Sequence, residues 1–299
     1  MAGVTSEFST PDSQLSVGKL ATYLSFVRFS HSVFALPFAL TGALLAWREQ
    51  PFSWSQVAWI VVCMVSARSA AMGFNRLVDA RMDALNPRTA MRELPRGLLS
   101  KPEATAFVIV ASVVFVIAAS RLSPLCLALA PVALLIVFWY SLAKRFTTYT
   151  QMFLGLALAV APVGGWMAAG GRGGGEPWLL GLAIGLWVGG FDILYACQDV
   201  DFDRRHGLRS IPATYGVSNA IRISRLMHLA TVIVMASLWW AADLPPLYIG
   251  GVAIVAALLT YEQSLVSDDD LSQVKTAFDL NGWVGIVYFA VTALALYIG

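Results

Sequence analysis

The chain has 299 residues, 58% of them hydrophobic and only 13% charged, with a formal net charge of +2. Soluble domains carry nearer a quarter charged residues, so this composition excludes a soluble globular domain and describes a polytopic membrane protein. Cys63, Cys126 and Cys197 all fall inside apolar runs with no CxxC pair, so they read as small buried hydrophobes rather than disulfides or metal ligands.

The first 20 residues, "MAGVTSEFSTPDSQLSVGKL", are polar and carry Glu7 and Asp12. They lack a basic start followed by an apolar core, which predicts a mobile cytoplasmic tail over 1–20 and not a cleavable signal peptide. Residues 21–299 read as one transmembrane domain. A span needs roughly 20 mostly apolar residues. Nine segments qualify: 27–47, 54–78, 104–121, 123–142, 151–170, 178–199, 218–241, 246–264 and 279–298. Between the third and fourth lies only "RLSP", where Pro124 predicts a tight hairpin. The expected fold is therefore all-α, nine transmembrane helices in one bundle.

Lysine and arginine orient the bundle. Only Arg48, Arg121 and Arg172 fall in the loops after spans one, three, five and seven, and Arg68 lies inside span two. The other basic residues lie in the N-terminal region, in the loops after even-numbered spans, or at span ends beside them. That bias predicts a cytoplasmic N-terminus and an extracytoplasmic C-terminus. Spans two and six each end in an acidic stretch and a basic loop, a weak internal duplication that suits two four-helix halves plus a ninth helix.

Span two ends in "NRLVDARMD", where Asn75, Asp79 and Asp83 are four residues apart and stack along one helical face. Stacked carboxylates repel unless a cation lies between them. Span six ends in "DILYACQDVDFD", where Asp192, Tyr195, Asp199 and Asp203 form a second stripe, with Asp201 off it. Two helices thus deliver carboxylates to the same end of the membrane. Mg²⁺ suits such a set, being a hard cation that joins one or two carboxylates to substrate phosphates. Arg88, Arg92 and Arg96 follow the first stripe, and Arg204, Arg205 and Arg209 the second; arginine forks match phosphate oxygens, although positive-inside topology alone also places basic residues there.

Arg68 lies two turns before Asn75 on nearly the same face. An intramembrane arginine needs a partner or a polar cavity, and a cavity below the acids is the favoured reading. "FWYSLAKRFT" ends span four, with Tyr140 one turn before Lys144 and next to it Arg145; the basic pair reads as a site element or as an interfacial anchor. "FVRFSHSVFALPFAL" opens span one with Arg28 and His31, and His31 reads as a satisfied interfacial histidine.

The two acidic stretches resemble the NxxxDxxxD and DxxYxxxDxxxD motifs of the UbiA superfamily of intramembrane prenyltransferases. "NPRTAMRELPRG", "YSLAKR" and "GLRSIPATYG" are also similar to that family, and the resemblance extends over nearly the whole chain after about residue 20. It is nearest to the bacterial 4-hydroxybenzoate polyprenyltransferase group. The start "RFSHSVFALPFALTGALLA" is closer to a branch that prenylates dihydroxynaphthoates for menaquinone. Arg76 stands where many relatives have a second acid after the asparagine, which places more of the metal binding on Asp79 and Asp83.

The resemblance implies Mg²⁺-dependent transfer of a polyprenyl group from its diphosphate to a ring carbon of a hydroxylated aromatic acid. It implies an inner-membrane enzyme with its site facing the cytoplasm, and no nucleic-acid or obligate protein partner is expected. Asn75, Asp79, Asp83, Asp199 and Asp203 would hold the metal. Lys144, Arg92 and Arg204 would assist the diphosphate, and Asp192 would orient the site. Tyr140 and Tyr195 would face the allylic cation. Arg28 or Arg145 would take the acceptor carboxylate, and Arg68 would line the substrate cavity. Haem, chlorophyllide or glyceryl-phosphate acceptors match less well. A cation-coupled transporter would favour acids near the bilayer midplane, and a lipid-binding scaffold has no use for two metal-binding stripes.

Overall fold

A computed structural model of the chain describes residues 11–27 and 35–298, and every regular element among them is helical. In chain order these are α1 (Pro11–Phe26), α2 (Leu36–Ala46), α3 (Trp54–Leu85), α4 (Lys101–Leu122), α5 (Pro124–Ala143) and α6 (Thr150–Ala168). After them come α7 (Glu176–Ala196), the short α8 (Val200–His206) and α9 (Ile211–Tyr215), then α10 (Val217–Ala241), α11 (Leu247–Ser264) and α12 (Val274–Ile298).

Eight helical units are long and apolar enough to cross a membrane: α3, α4, α5, α6, Glu176–His206, α10, α11 and α12. They correspond to the second to ninth predicted spans. The first, 27–47, differs. Its described part is the 11-residue α2, which rises only about 16 Å against a hydrocarbon core of about 30 Å. Residues 28–34, with Arg28 and His31, lie outside the described residues. Helix α1 runs through the second half of the segment read as a tail.

Local chemistry sets the ends that matter for the site. Helix α3 continues unbroken past its predicted end at residue 78 because no glycine or proline interrupts it until Asn86–Pro87. A residue before proline is pushed out of the helical region, and Asn86 accordingly sits at φ −91°, ψ 117°. Ser100 and Glu103 form a reciprocal capping box at the start of α4. Ser123 ends α4 and caps α5, its hydroxyl accepting from the Cys126 amide, so the predicted hairpin turns on a single residue. Helix α7 departs from the expected continuous stripe. It gives way to a 3₁₀ turn, Cys197–Asp199, before α8, which ends at Gly207 with φ 68°. Asp192 and Tyr195 therefore ride on α7, Asp199 on the turn, and Asp203 on α8.

Small residues draw the central helices together. A Cβ on Gly165 of α6 would lie 1.9 Å from the Ala39 carbonyl oxygen of α2, and one on Gly155 would lie 2.3 Å from that of Gly185 on α7. Behind α7 is a buried polar net. Trp187 donates to Asn281 Oδ1 at 2.7 Å, Asn281 donates to Glu262 Oε1 at 3.0 Å, and Gln263 donates to Ser224 Oγ at 2.7 Å. Outward-facing side chains are apolar, among them Ile109, Val110, Leu135, Leu229 and Ile233. Trp54, Trp178 and Trp240 are exposed at the bundle end opposite the acids, where an aromatic belt belongs.

Candidate active site

A cavity of about 910 Å³ runs between α3, α5, α6 and α7. Its mouth gathers Asn75, Asp79, Asp83, Arg92, Lys144, Asp192, Tyr195, Asp199 and Asp203, and its wall continues through Arg68 and Tyr140 into apolar side chains as deep as Leu122 and Cys126. Leu129, Val132, Leu156 and Leu182 line it and are also exposed on the outer surface, so the cavity opens toward lipid.

Each motif acid on α3 is buried and held by a base. Asp79 is 3% exposed. It accepts from Lys144 Nζ at 2.5 Å, from Arg145 at 3.2 Å and from Asn75 Nδ2 at 3.4 Å. Lys144 reaches it because the end of α5 is tied to the loop after α8, where the Arg209 amide donates to the Lys144 carbonyl at 2.9 Å. Asp83 accepts from Arg92 Nη1 through both carboxylate oxygens, at 2.7 and 2.8 Å. Such pairs are charge-assisted and partly desolvated, which makes them stronger than surface ion pairs.

The second set faces the first. Asp199 accepts from Arg88 Nε at 3.0 Å, from Arg88 Nη2 and from Asn86 Nδ2 at 3.1 Å. Arg88 also donates to the Tyr195 hydroxyl at 2.8 Å and lies over its ring. Burial works against the Arg88 charge, but the hydrogen bond and charge of Asp199 outweigh it and raise the guanidinium pKa. Asp203 accepts from the Ser210 hydroxyl at 2.9 Å. Asp192 lines the cavity, and no hydrogen bond from the described residues reaches it.

Arg68 lines the cavity below the acids. Its Nε is buried without a hydrogen-bond partner, and no acid pairs with it among the described residues. Two of the expected substrate-binding residues lie elsewhere. Arg145 stays off the cavity wall, its guanidinium tied to the Ser141 and Val78 carbonyls at 3.0 and 2.9 Å as well as to Asp79. Arg204 is exposed on α8 and donates to the Ala213 carbonyl at 2.9 Å. Arg209 lines the wall instead.

Sequence reasoning did not assign Asn86 or Ser210, and it named Arg88 only among the arginines suited to phosphate, not as the partner of Asp199. The signal for Asn86 and Arg88 was the helix-ending Asn-Pro, which turns the chain back over the acids. Nothing in the spacing marked Ser210 as the partner of Asp203. Arg76 is also buried, bonded to Glu93 Oε2 at 3.1 Å, and Glu93 accepts from Ser25 of α1 at 2.6 Å. That pair pins the Asn86–Ser100 loop.

Hard oxygen donors predominate at the mouth, and no His or Cys lies there among the described residues. Among the described residues no three His, Cys, Asp or Glu side chains converge into a ready-made metal cage. That donor set fits Mg²⁺, which is typically completed by substrate phosphates and water.

An acid- and base-lined mouth above an apolar, lipid-open cavity suits an amphiphile with an anionic head. The comparisons agree. Residues 35–295 match the UbiA prenyltransferase family. A 4-hydroxybenzoate octaprenyltransferase of Aliivibrio fischeri is 30% identical over 247 residues, 82% of this chain and 85% of that protein. Another from Vibrio cholerae is 30% identical over 77% of this chain and 81% of its own length. A UbiA homolog from Aeropyrum pernix, solved in its apo form, superposes with a TM-score of 0.81 at 36% identity, covering 88% of this chain and 96% of that one. One from Archaeoglobus fulgidus, solved with GPP and Mg²⁺, shares the fold at a TM-score of 0.66 and 19% identity, over 91% of this chain and 99% of its own. This chain belongs to the UbiA prenyltransferase family, and it is a prenyltransferase.

Proposed function

We propose that the chain transfers a polyprenyl group from its diphosphate to a ring carbon of 4-hydroxybenzoate or a dihydroxynaphthoate, in quinone biosynthesis. The observation that carries this reading is a mouth of paired acids and bases set above a cavity lined by Arg68, which has no acid partner among the described residues. The names of the relatives support the aromatic acceptor.

Asn75, Asp79, Asp83, Asp199 and Asp203 would hold Mg²⁺ with the diphosphate. A cation held there would supply neutralisation of charge on the leaving group. Lys144, Arg88 and Arg92 line the same mouth and would bind phosphate oxygens. The bond between the allylic carbon and the diphosphate oxygen breaks, and diphosphate leaves with the electron pair. The faces of Tyr140 and Tyr195 stabilise the allylic cation, and the apolar wall, open to lipid and not to water, keeps water from it. A new carbon–carbon bond forms ortho to the phenol, and the ring carbon loses its proton.

Arg68 takes the acceptor carboxylate. It has free donors inside the cavity, whereas Arg145 is committed to Asp79 and two carbonyls. Asp192, one turn before Tyr195, orients this region. The isoprenoid tail lies along the apolar wall and out toward lipid.

In this reading nine spans cross the inner membrane, with the N-terminus and the site cytoplasmic, as the lysine and arginine bias supports.

Purified protein with labelled polyprenyl diphosphate, Mg²⁺ and a panel of aromatic acids tests the proposal. Prenylated acid is expected for one of the two acceptor classes, lost in Asp79→Ala and Asp199→Ala. Full activity in the doubly substituted protein would sink it.

A further inference from the structure

The loop Asn86–Ser100 has two working sides. Its inner side holds Asn86, Arg88 and Arg92 on the site acids. Its outer side closes a second hollow, of about 320 Å³, between the end of α3 and the start of α4. Ala80, Leu94 and Leu99 supply its apolar wall, and Arg81 and Lys101 supply two cations. Neither cation has an ion pair or side-chain hydrogen bond among the described residues. The acids nearest in sequence are engaged elsewhere: Glu103 beside Lys101 by Ser100 at 2.7 Å and Lys19 at 3.6 Å, and Asp79 and Asp83 beside Arg81 by Lys144 and Arg92.

The surroundings of this hollow are amphiphilic. Leu85, Met91 and Leu98 are exposed large apolar residues on and beside the loop, and Arg96 is exposed with them. Gly97 turns the chain at φ 69°, and a Cβ there would meet nothing within 4 Å. Past Lys101, α4 presents Ile109, Val110 and Val113 outward. Arg81 falls between Asp79 and Asp83 along α3, so the hollow lies level with the site acids, at the depth of a membrane surface.

We propose that this hollow seats the headgroup of an anionic phospholipid from the surrounding leaflet. Its phosphate lies between Arg81 and Lys101, and its acyl chains follow Leu98 and the outer face of α4. Two unpaired cations complement a net negative headgroup, and the hollow is continuous with the lipid-facing surface. The bound lipid braces from outside the loop that carries Arg88 and Arg92.

The test uses the full chain in nanodiscs of phosphatidylcholine with phosphatidylglycerol, followed by native mass spectrometry of the lipid that stays bound. Retention of phosphatidylglycerol over phosphatidylcholine is expected. It should weaken roughly 30-fold in Arg81→Gln/Lys101→Gln, taking about 1 kcal/mol for each cation near an anionic surface. Arg81→Lys/Lys101→Arg should keep it and guards against loss of fold. Arg222→Gln/Arg225→Gln, which removes two exposed arginines from α10 at the same end, should also keep it. Equal loss in both glutamine pairs would mean general surface charge, and unchanged retention in Arg81→Gln/Lys101→Gln would remove the site; either overturns the proposal. Displacement of the lipid by millimolar glycerol phosphate or inorganic phosphate would make it a free-phosphate site and overturn it too. No prenyl transfer is read, so this outcome stands apart from that of the proposed reaction.

Discussion

Arg88 spans the mouth of the cavity, joining the loop after α3 to Asp199 and Tyr195 on the α7 side. In the proposed reaction a divalent cation shared with diphosphate would take the same carboxylate, and Arg88 would then pass from Asp199 to a phosphate oxygen. Arg88→Ala is expected to raise the KM for prenyl diphosphate roughly tenfold or more, the worth of a hydrogen bond to a charged group, in steady-state assays at saturating acceptor. Arg68 gives the complementary signature. Arg68→Gln should raise the KM for the aromatic acid by a similar factor and leave the donor KM unchanged. Lysine at this position should rescue only part of the loss, because a point charge does not reproduce the planar fork.

At the scale of the element, α7 is fixed from both sides. Its Gly185 backbone meets Gly155 of α6, and Trp187 is bonded through Asn281 to Glu262. Phe278 of α12 packs on Tyr195 with ring centroids 4.6 Å apart. Gly155→Leu must push the two helices apart at the level of the cavity. Overpacking of this kind costs about 1–3 kcal/mol, and a lower unfolding temperature in detergent is the expected readout. Glu262 is 1% exposed. Glu262→Gln should keep the bond to Asn281 and be tolerated. Glu262→Leu leaves the Asn281 amide only the Ala277 and Phe278 carbonyls, and should destabilise the bundle by about 1 kcal/mol.

For the whole molecule, the site lies at one end of a helical bundle whose packing does not run through the acids. The core around Tyr248 and Tyr288 packs behind α7, and Asp79 and Asp83 each have a basic partner within the chain. Chelation of divalent cations is therefore expected to abolish prenyl transfer while leaving helix content and unfolding temperature unchanged, as measured by circular dichroism of the same sample. An equal loss of fold would show that the acids are structural.

The sequence by itself determined the membrane class, seven of the helices to within about five residues and an eighth, α3, except for its last seven, and the two acidic stretches. These follow from hydropathy, helical periodicity and proline placement, all of which act over a few turns of chain. Only the tertiary structure decided which base meets which acid. Lys144 with Asp79 and Arg88 with Asp199 are pairs 65 and 111 residues apart, and no local spacing encodes them. Nor does spacing predict that a 3₁₀ turn would split the second stripe or that Arg204 would turn outward. A side chain's direction at the end of a helix depends on what the neighbouring helices offer it. In this bundle, those neighbours are set by glycine contacts and buried hydrogen bonds far from the motifs.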